Sequence, residues 1–225
     1  MSRDRVVLAG ALFSFGGVWS LLSILIAESL TPGYDVSTEA VSGLGLPYFS
    51  GICNIRADCL TPVQPAADVF VSSLFLGGAL LLLNGYLLSK ATGHRLFALG
   101  VGMLGVGELF VGSSYLPIYL GATASGEVGV AYGFHVVGAL IAFVLGATVA
   151  IAAYRLIKGP FRYFGVVLGT VALAAFVLFA TGNGLGLGLG GMERMIIYPI
   201  NLWSICFGAY LMGGAGLTPI APAPP

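Results

Sequence analysis

Charged side chains are scarce in this sequence. Only 8% of its 225 residues are Asp, Glu, Lys or Arg, whereas 58% are hydrophobic, and the mean hydropathy is +1.00. A soluble domain carries about 25% charged residues, which keep its surface hydrated. The composition therefore excludes an ordinary soluble domain and indicates a protein whose surface lies mostly in lipid.

Basic clusters are also absent, and the formal net charge is zero. Nucleic-acid-binding proteins generally present a cluster of Lys and Arg to the phosphate backbone. We therefore expect no nucleic acid partner. Membrane lipids are the partners that the composition indicates.

Histidine and cysteine are too few for the common metal and haem sites. The sequence has two histidines, His94 and His135, and three cysteines. A structural zinc ion needs four ligands. A b-type haem needs two axial histidines that face one iron, and the spans predicted below place the two histidines toward opposite membrane surfaces. No metal or other cofactor is expected.

Six apolar segments are each long enough to cross a membrane, which takes about 20 apolar residues in a helix. They cover residues 6–26, 69–88, 96–116, 132–154, 163–180 and 192–212. The first is longer and richer in Gly and Ser than a cleavable signal peptide and has no clear A-x-A site, so we interpret it as a retained span. The sequence predicts an all-α polytopic membrane protein, with one six-helix domain over residues 1–212.

Positive charges are distributed unevenly between the two ends of these spans. Seven of the nine Lys and Arg residues lie at the end that carries both termini, namely Arg3, Arg5, Lys90, Arg95, Arg155, Lys158 and Arg162. Cytoplasmic loops are enriched in Lys and Arg, so we predict a plasma-membrane protein with both termini in the cytoplasm. The uncharged, Gly/Pro-rich tail at 213–225 is predicted to be disordered.

The first outer loop, residues 27–67, is much longer than a helical hairpin needs. Long ordered loops are usually functional or act as lids. Cys53 and Cys59 lie in this loop on the predicted non-cytoplasmic side, where disulfides persist, and we predict a disulfide between them. The alternatives are a metal site, for which zinc would need further ligands, and a redox pair, which usually has C-x-x-C spacing.

Polar residues inside the third and fourth spans are candidate site residues. Glu108 and His135 both lie toward the outer ends of their spans. An ionisable side chain in a membrane helix is energetically costly and normally faces a partner or a wet cavity. The structural alternative is that each simply forms a hydrogen bond that holds neighbouring helices together.

The last span begins with a second group of polar residues. Arg194, Tyr198 and Asn201 have the spacing i, i+4, i+7, so they share one helix face, and Glu193 in the first turn suits the helix dipole. The structural alternative is an Arg that reaches toward lipid phosphates and a Tyr at the membrane interface. The preceding run T-G-N-G-L-G-L-G-L-G-G is interpreted as closely packed backbone, although it could also lend N–H groups to an anion.

All these ionisable groups fall in the outer half of the predicted bundle. We therefore hypothesise an outward-facing polar cavity beneath the first outer loop. Its predicted ligand-binding residues are Glu108, His135, Glu193, Arg194, Tyr198 and Asn201.

Three stretches carry a resemblance to a known family. They are Tyr34 with A-V-S-G-L-G from Ala40, F-H-V-V-G-A-L-I-A-F from Phe134, and G-M-E-R-M-I-I-Y-P-I-N-L-W from Gly191. On these the chain resembles the six-span prokaryotic membrane proteins catalogued as domain of unknown function 998, which are distantly similar to the Frag1/DRAM/Sfk1 proteins. The resemblance implies the six-span fold and no established activity, and the lipid-remodelling factors among the distant relatives favour a lipid ligand. The chain reads F-V-G-S-S-Y-L-P where members often have a G-V-F-P-like turn.

Two functions follow as hypotheses. In the first, the cavity handles a lipid or an anionic head group: Arg194 binds the phosphate, Tyr198 and Asn201 orient it, and His135 with Glu108 are candidate acid–base groups. In the second, the chain is a non-catalytic accessory or assembly subunit of a larger membrane complex. A transporter is less favoured, because it usually needs polar groups in both membrane halves and internal repeats.

Overall fold

The structure, a computed structural model, describes residues 3–50, 60–121 and 125–213, except for the side chains of Tyr48, Ser50 and Ser125. Over these residues the regular structure is entirely helical. Six of the helices are long and apolar enough to cross a membrane. The predicted all-α, six-span fold is confirmed.

Seven α-helices form the described chain. They are α1 Arg3–Leu30, α2 Ala66–Thr92, α3 Arg95–Ser114, α4 Leu116–Tyr119, α5 Ser125–Ala152, α6 Arg162–Ala180 and α7 Gly188–Met212. The single turn α4 follows α3 almost directly, and short 3-10 segments cover Val41–Leu44, Pro47–Ser50 and Ala153–Arg155. The helices run beyond the apolar segments of the sequence because hydropathy marks the part that lies in lipid, whereas helical hydrogen bonding continues into the flanking polar residues.

The six long helices form a closed ring. Each packs on the next in the order α1, α2, α3, α5, α6 and α7, and α7 packs back on α1. We call the end with the start of α1, the end of α7 and the α2–α3 and α5–α6 connections the terminal end. The opposite end, which carries the first loop and the α3–α5 and α6–α7 connections, is the loop end.

Glycine allows the ring helices to approach closely. A Cβ on Gly105 of α3 would lie 2.6 Å from the carbonyl oxygen of Gly78 in α2, and one on Gly208 of α7 would overlap the carbonyl oxygen of Gly10 in α1. Membrane helices have no hydrophobic drive to associate and pack best where small residues let backbones meet. The crossing points of the ring therefore depend on these glycines.

Aromatic side chains fill the terminal half of the ring. Phe13 of α1 and Trp203 and Phe207 of α7 are each 1% exposed or less. Their ring centroids lie 5.0–5.9 Å apart, which is the normal range for aromatic packing. This cluster fills the centre of the ring toward the terminal end.

Two predictions concern residues outside those that the structure describes. The disulfide between Cys53 and Cys59 lies wholly outside them, and so does nearly all of the tail that was predicted to be disordered, residues 213–225.

Candidate functional site

The loop half of the ring encloses a cavity of about 90 Å³, bounded by α1, α2, α3, α5 and α7. Val41 and Ser42 of the first loop form its roof. Most of its walls are apolar, and its polar residues are Ser20, Ser42, Ser73, Glu108, His135, Glu193 and Asn201. Apolar walls with a few convergent polar groups are typical of small-molecule sites. The volume accommodates a few water molecules or a short stretch of alkyl chain.

The cavity brings together four of the six predicted ligand-binding residues, namely Glu108, His135, Glu193 and Asn201. Arg194 and Tyr198 do not line it. They lie closer to the loop end, where Arg194 pairs with Glu28 and Tyr198 faces the same pair.

Glu108 projects from α3 toward α2, where one carboxylate oxygen lies against Gly77. A side chain on Gly77 would overlap that oxygen, so the glycine provides the space that the carboxylate occupies. Among the described residues, nothing donates a hydrogen bond to the carboxylate. A carboxylate without a partner inside a membrane helix bundle normally faces water or a ligand.

His135 of α5 contacts Ser114 of α3 and Phe49 of the first loop. Its Nδ1 lies 3.3 Å from the Ser114 hydroxyl oxygen, and that hydroxyl donates its own proton to the Val111 carbonyl at 2.6 Å. With that proton committed, the Ser114 oxygen can accept a hydrogen bond from Nδ1–H of His135. The imidazole stacks on Phe49 of the first loop at 4.4 Å between centroids.

Glu193 holds the roof from α7. Its carboxylate accepts hydrogen bonds from the backbone N–H groups of Val41, at 2.5 Å, and Ser42. These are the first N–H groups of the 3-10 segment Val41–Leu44, which would otherwise lack acceptors. The side chain is buried, and its negative charge suits the positive end of the segment it caps.

All of the guanidinium donors of Arg194 have acceptors, which lie at the end of α1, in the first loop and in α7 itself. Nε and Nη2 donate to one oxygen of Glu28 at 3.0 and 2.6 Å. Nη1 donates to the carbonyls of Val36 and Gly190 at 2.8 and 2.9 Å, and Nη2 also donates to the Tyr34 hydroxyl at 3.0 Å. A guanidinium has five N–H groups, so in this arrangement none remains for a ligand.

Tyr34 completes this network. Its hydroxyl donates to the Ala40 carbonyl at 2.8 Å while accepting from Arg194. Burial raises the pKa of Tyr34 above its ordinary value, so the phenol stays neutral and keeps the proton that it donates. We call the set Glu28, Tyr34, Glu193 and Arg194 the loop clamp, because it ties the first loop to α7.

The glycine run that leads into α7 packs against the first loop, next to the loop clamp. The N–H groups of Gly190 and Gly191 donate to the Ser37 carbonyl at 2.9 and 3.3 Å. A Cβ on Gly190 would overlap the Glu39 carbonyl, and Gly188 has φ +72° and would meet Ser37 in the same way. Close backbone packing is thus what the run provides here, since a loop carbonyl caps the helix start where an anion could otherwise bind.

A smaller void of about 30 Å³ adjoins the cavity and shares Ser20, Glu108 and Asn201 with it. Asn84 of α2 also lines this void and is only 1% exposed. Neither its amide nitrogen nor its amide oxygen has a hydrogen-bond partner among the described residues. Buried polar groups are nearly always paired, with protein or with water, so the void is suited to a polar occupant.

A family model described as a protein of unknown function (DUF998) matches residues 14–210. The chain belongs to the DUF998 family. The matched region of this DUF998 protein contains the cavity and the loop clamp. Comparison with curated proteins and with solved structures finds no match.

Three residues at the site of this DUF998 protein, namely Glu28, Tyr34 and Asn84, were hard to recognise from the sequence. Glu28 is an acid at the end of an apolar span, and Tyr34 is one of several tyrosines in or near the outer loops. Asn84 is a lone amide within the apolar run L-L-L-L-N-G-Y, and intramembrane polar residues are often functional. That rule could have added Asn84 to the candidate site, whereas no spacing pattern links Glu28 to Arg194.

Proposed function

We propose that this DUF998 membrane protein binds an amphipathic, lipid-class molecule in the cavity beneath the first loop. The observation that carries the proposal is the carboxylate of Glu108, which has no hydrogen-bond donor among the described residues and lies in an apolar-walled cavity within the membrane-spanning bundle. Apolar walls favour a hydrocarbon part of the ligand. The few polar groups would orient its head.

The charges of the cavity favour a particular kind of head group. Glu108 and Glu193 line it, whereas no Lys or Arg in the part of the chain that the structure describes does. A hydroxyl or amine that donates hydrogen bonds is therefore better suited than a phosphate, because an anion would be repelled by two carboxylates. The anionic head group expected from the sequence would require the loop clamp to open and release donors of Arg194.

Binding can be tested by identifying what stays with the protein through mild purification. We expect mass spectrometry of the purified wild type to show a co-purifying lipid-class molecule. Glu108→Gln should reduce its occupancy at least tenfold, because the head group loses a charge-assisted hydrogen bond. Ala139→Phe, which places a ring at a residue that lines the cavity, should remove it. Glu127→Gln is the matched control, since Glu127 is an exposed acid at the start of α5.

The outcome that contradicts the proposal is equally clear. If Glu108→Gln and Ala139→Phe both fold and retain the same molecules at wild-type occupancy, the cavity is not the binding site. A loss that Glu127→Gln reproduces would show a general charge effect on the bilayer environment rather than a site.

We also propose that the terminal end faces the cytoplasm and that the membrane is the plasma membrane. The support is that seven of the nine Lys and Arg residues belong to this end, as the positive-inside rule requires. Reporter fusions at the C-terminus and in the α6–α7 connection would test it. A reporter that is active only in the cytoplasm should be active when fused to the C-terminus. Activity only in the α6–α7 connection would show the opposite topology.

The alternative function, an accessory or assembly subunit, is favoured by one surface feature. Gly126, Gly129 and Gly133 share a face of α5, and a Cβ on any of them would meet nothing within 4 Å. Such a face lets a helix of another protein approach closely. If this function holds, stoichiometric subunits should co-purify with the wild type and be lost from Gly133→Leu, while Glu108→Gln keeps them.

A further inference from the structure

A groove at the terminal end of the ring lies far from the loop roof and involves different residues from the cavity. It runs between α3 and α5 and has a volume of about 700 Å³. Phe97 of α3 and Leu145 and Val149 of α5 contribute apolar walls. Gly100 keeps the groove open, since even a Cβ there would approach a Val149 methyl to 3.0 Å.

Two arginines lie at this groove. Arg95 and Arg155 both line it and are both exposed, and neither guanidinium has a hydrogen bond or ion pair with any residue that the structure describes. No Asp or Glu lines the groove.

Two other arginines, Arg162 and Arg194, behave differently. Arg162 lies over the rings of Tyr154 and Tyr163, at 4.7 and 4.9 Å from their centroids, and Arg194 is fully hydrogen-bonded within the loop clamp. Both guanidinium groups therefore contact side chains of the protein itself. The guanidinium groups of Arg95 and Arg155 are instead exposed and accessible to an external anion.

We propose that this groove binds one anionic phospholipid. Its phosphate lies between Arg95 and Arg155, and one acyl chain lies along the apolar walls beside Gly100. Guanidinium groups bind phosphate oxygens in a bidentate manner, and basic pockets between membrane helices are suited to anionic head groups. The surrounding bilayer supplies the acyl chain next to the groove, so a phospholipid satisfies the charge and the apolar surface together.

The experiment measures lipid binding to the purified full-length protein by native mass spectrometry. The probes are palmitoyl-oleoyl phosphatidylglycerol and the matching zwitterionic phosphatidylcholine. The wild type should prefer phosphatidylglycerol. Arg95→Gln/Arg155→Gln should weaken phosphatidylglycerol binding roughly thirtyfold and leave phosphatidylcholine binding unchanged.

Lys90→Gln/Lys158→Gln is the matched control, because it removes the same charge from the same end while neither lysine lines the groove. It should change phosphatidylglycerol binding less than threefold. Thr148→Trp fills the groove at an exposed position without altering charge and should also weaken binding. This third variant decides the matter if the double arginine variant fails to fold.

Several outcomes would overturn the proposal: no preference for phosphatidylglycerol, an equal loss in the lysine control, or wild-type binding by Thr148→Trp. Because Glu108 is not part of the groove, Glu108→Gln should retain the phosphatidylglycerol bound here. The experiments therefore distinguish a failure of this groove proposal from a failure of the proposal for the cavity beneath the first loop.

Discussion

Replacing Arg194 by Met removes every polar contact between the guanidinium and the first loop. The aliphatic part of the side chain is retained, so the variant tests charge and hydrogen bonding rather than packing. Glu28 would lose its partner, and the carbonyls of Val36 and Gly190 would lose their donor. The side chains of Arg194 and Glu28 are only 9% and 13% exposed, so water compensates little for these losses.

The expected loss of stability is about 3–5 kcal/mol, the usual cost of breaking a buried ion pair by removing one partner. For a protein of this size, each kcal/mol shifts the thermal midpoint by about 2–4 °C. The midpoint of Arg194→Met should therefore fall by roughly 6–20 °C. Hydrogen exchange should rise most in residues 31–46, because the clamp holds that segment.

The assay is thermal unfolding in one detergent, followed by tryptophan fluorescence, with Arg162→Met as the control. Arg162 stacks on two tyrosines at a partly exposed site, so its loss should cost about 1 kcal/mol or less. Glu28→Gln/Arg194→Met should be less destabilised than the sum of the single variants, by about 0.5–3 kcal/mol. A midpoint for Arg194→Met that matches Arg162→Met, or strict additivity, would refute the loop clamp.

Three further predictions concern other parts of the structure. Gly190→Ala should increase hydrogen exchange in residues 31–46, because a Cβ there would overlap a loop carbonyl, whereas Gly133→Ala, where a Cβ meets nothing, should not. Asn84→Leu should raise the thermal midpoint of the ligand-free protein by removing a buried amide without partners among the described residues, and it should weaken ligand retention; a lower midpoint would contradict this. Hydrogen bonds from the Ser37 hydroxyl and backbone N–H lower the pKa of Asp35, so they stabilise the turn above the ordinary aspartate pKa and are lost as the pH falls through the lowered value. Exchange at Ser37, relative to its intrinsic rate, should rise below about pH 4 in the wild type and not in Asp35→Ala.

The candidate site could be predicted in part, because intramembrane polar residues are conspicuous in an apolar sequence. Glu108, His135 and Asn201 were recognisable for that reason, and the structure brings them to one cavity. Helical spacing also placed Arg194 and Asn201 on one face of α7. That face, however, meets two environments, since the two residues are about 10 Å apart along the axis. Arg194 meets the loop there, while Asn201 meets the cavity.

The spans of this protein were determined by its sequence alone, because the free energy of placing a segment in lipid depends mainly on that segment's own side chains. The partners of its buried charges were decided only by the tertiary structure. Arg194 and Glu28 are separated by 166 residues, and Glu193 and Val41 by 152. Such pairs exist only because the ring of helices brings α1 beside α7 and the first loop folds back over the space between them.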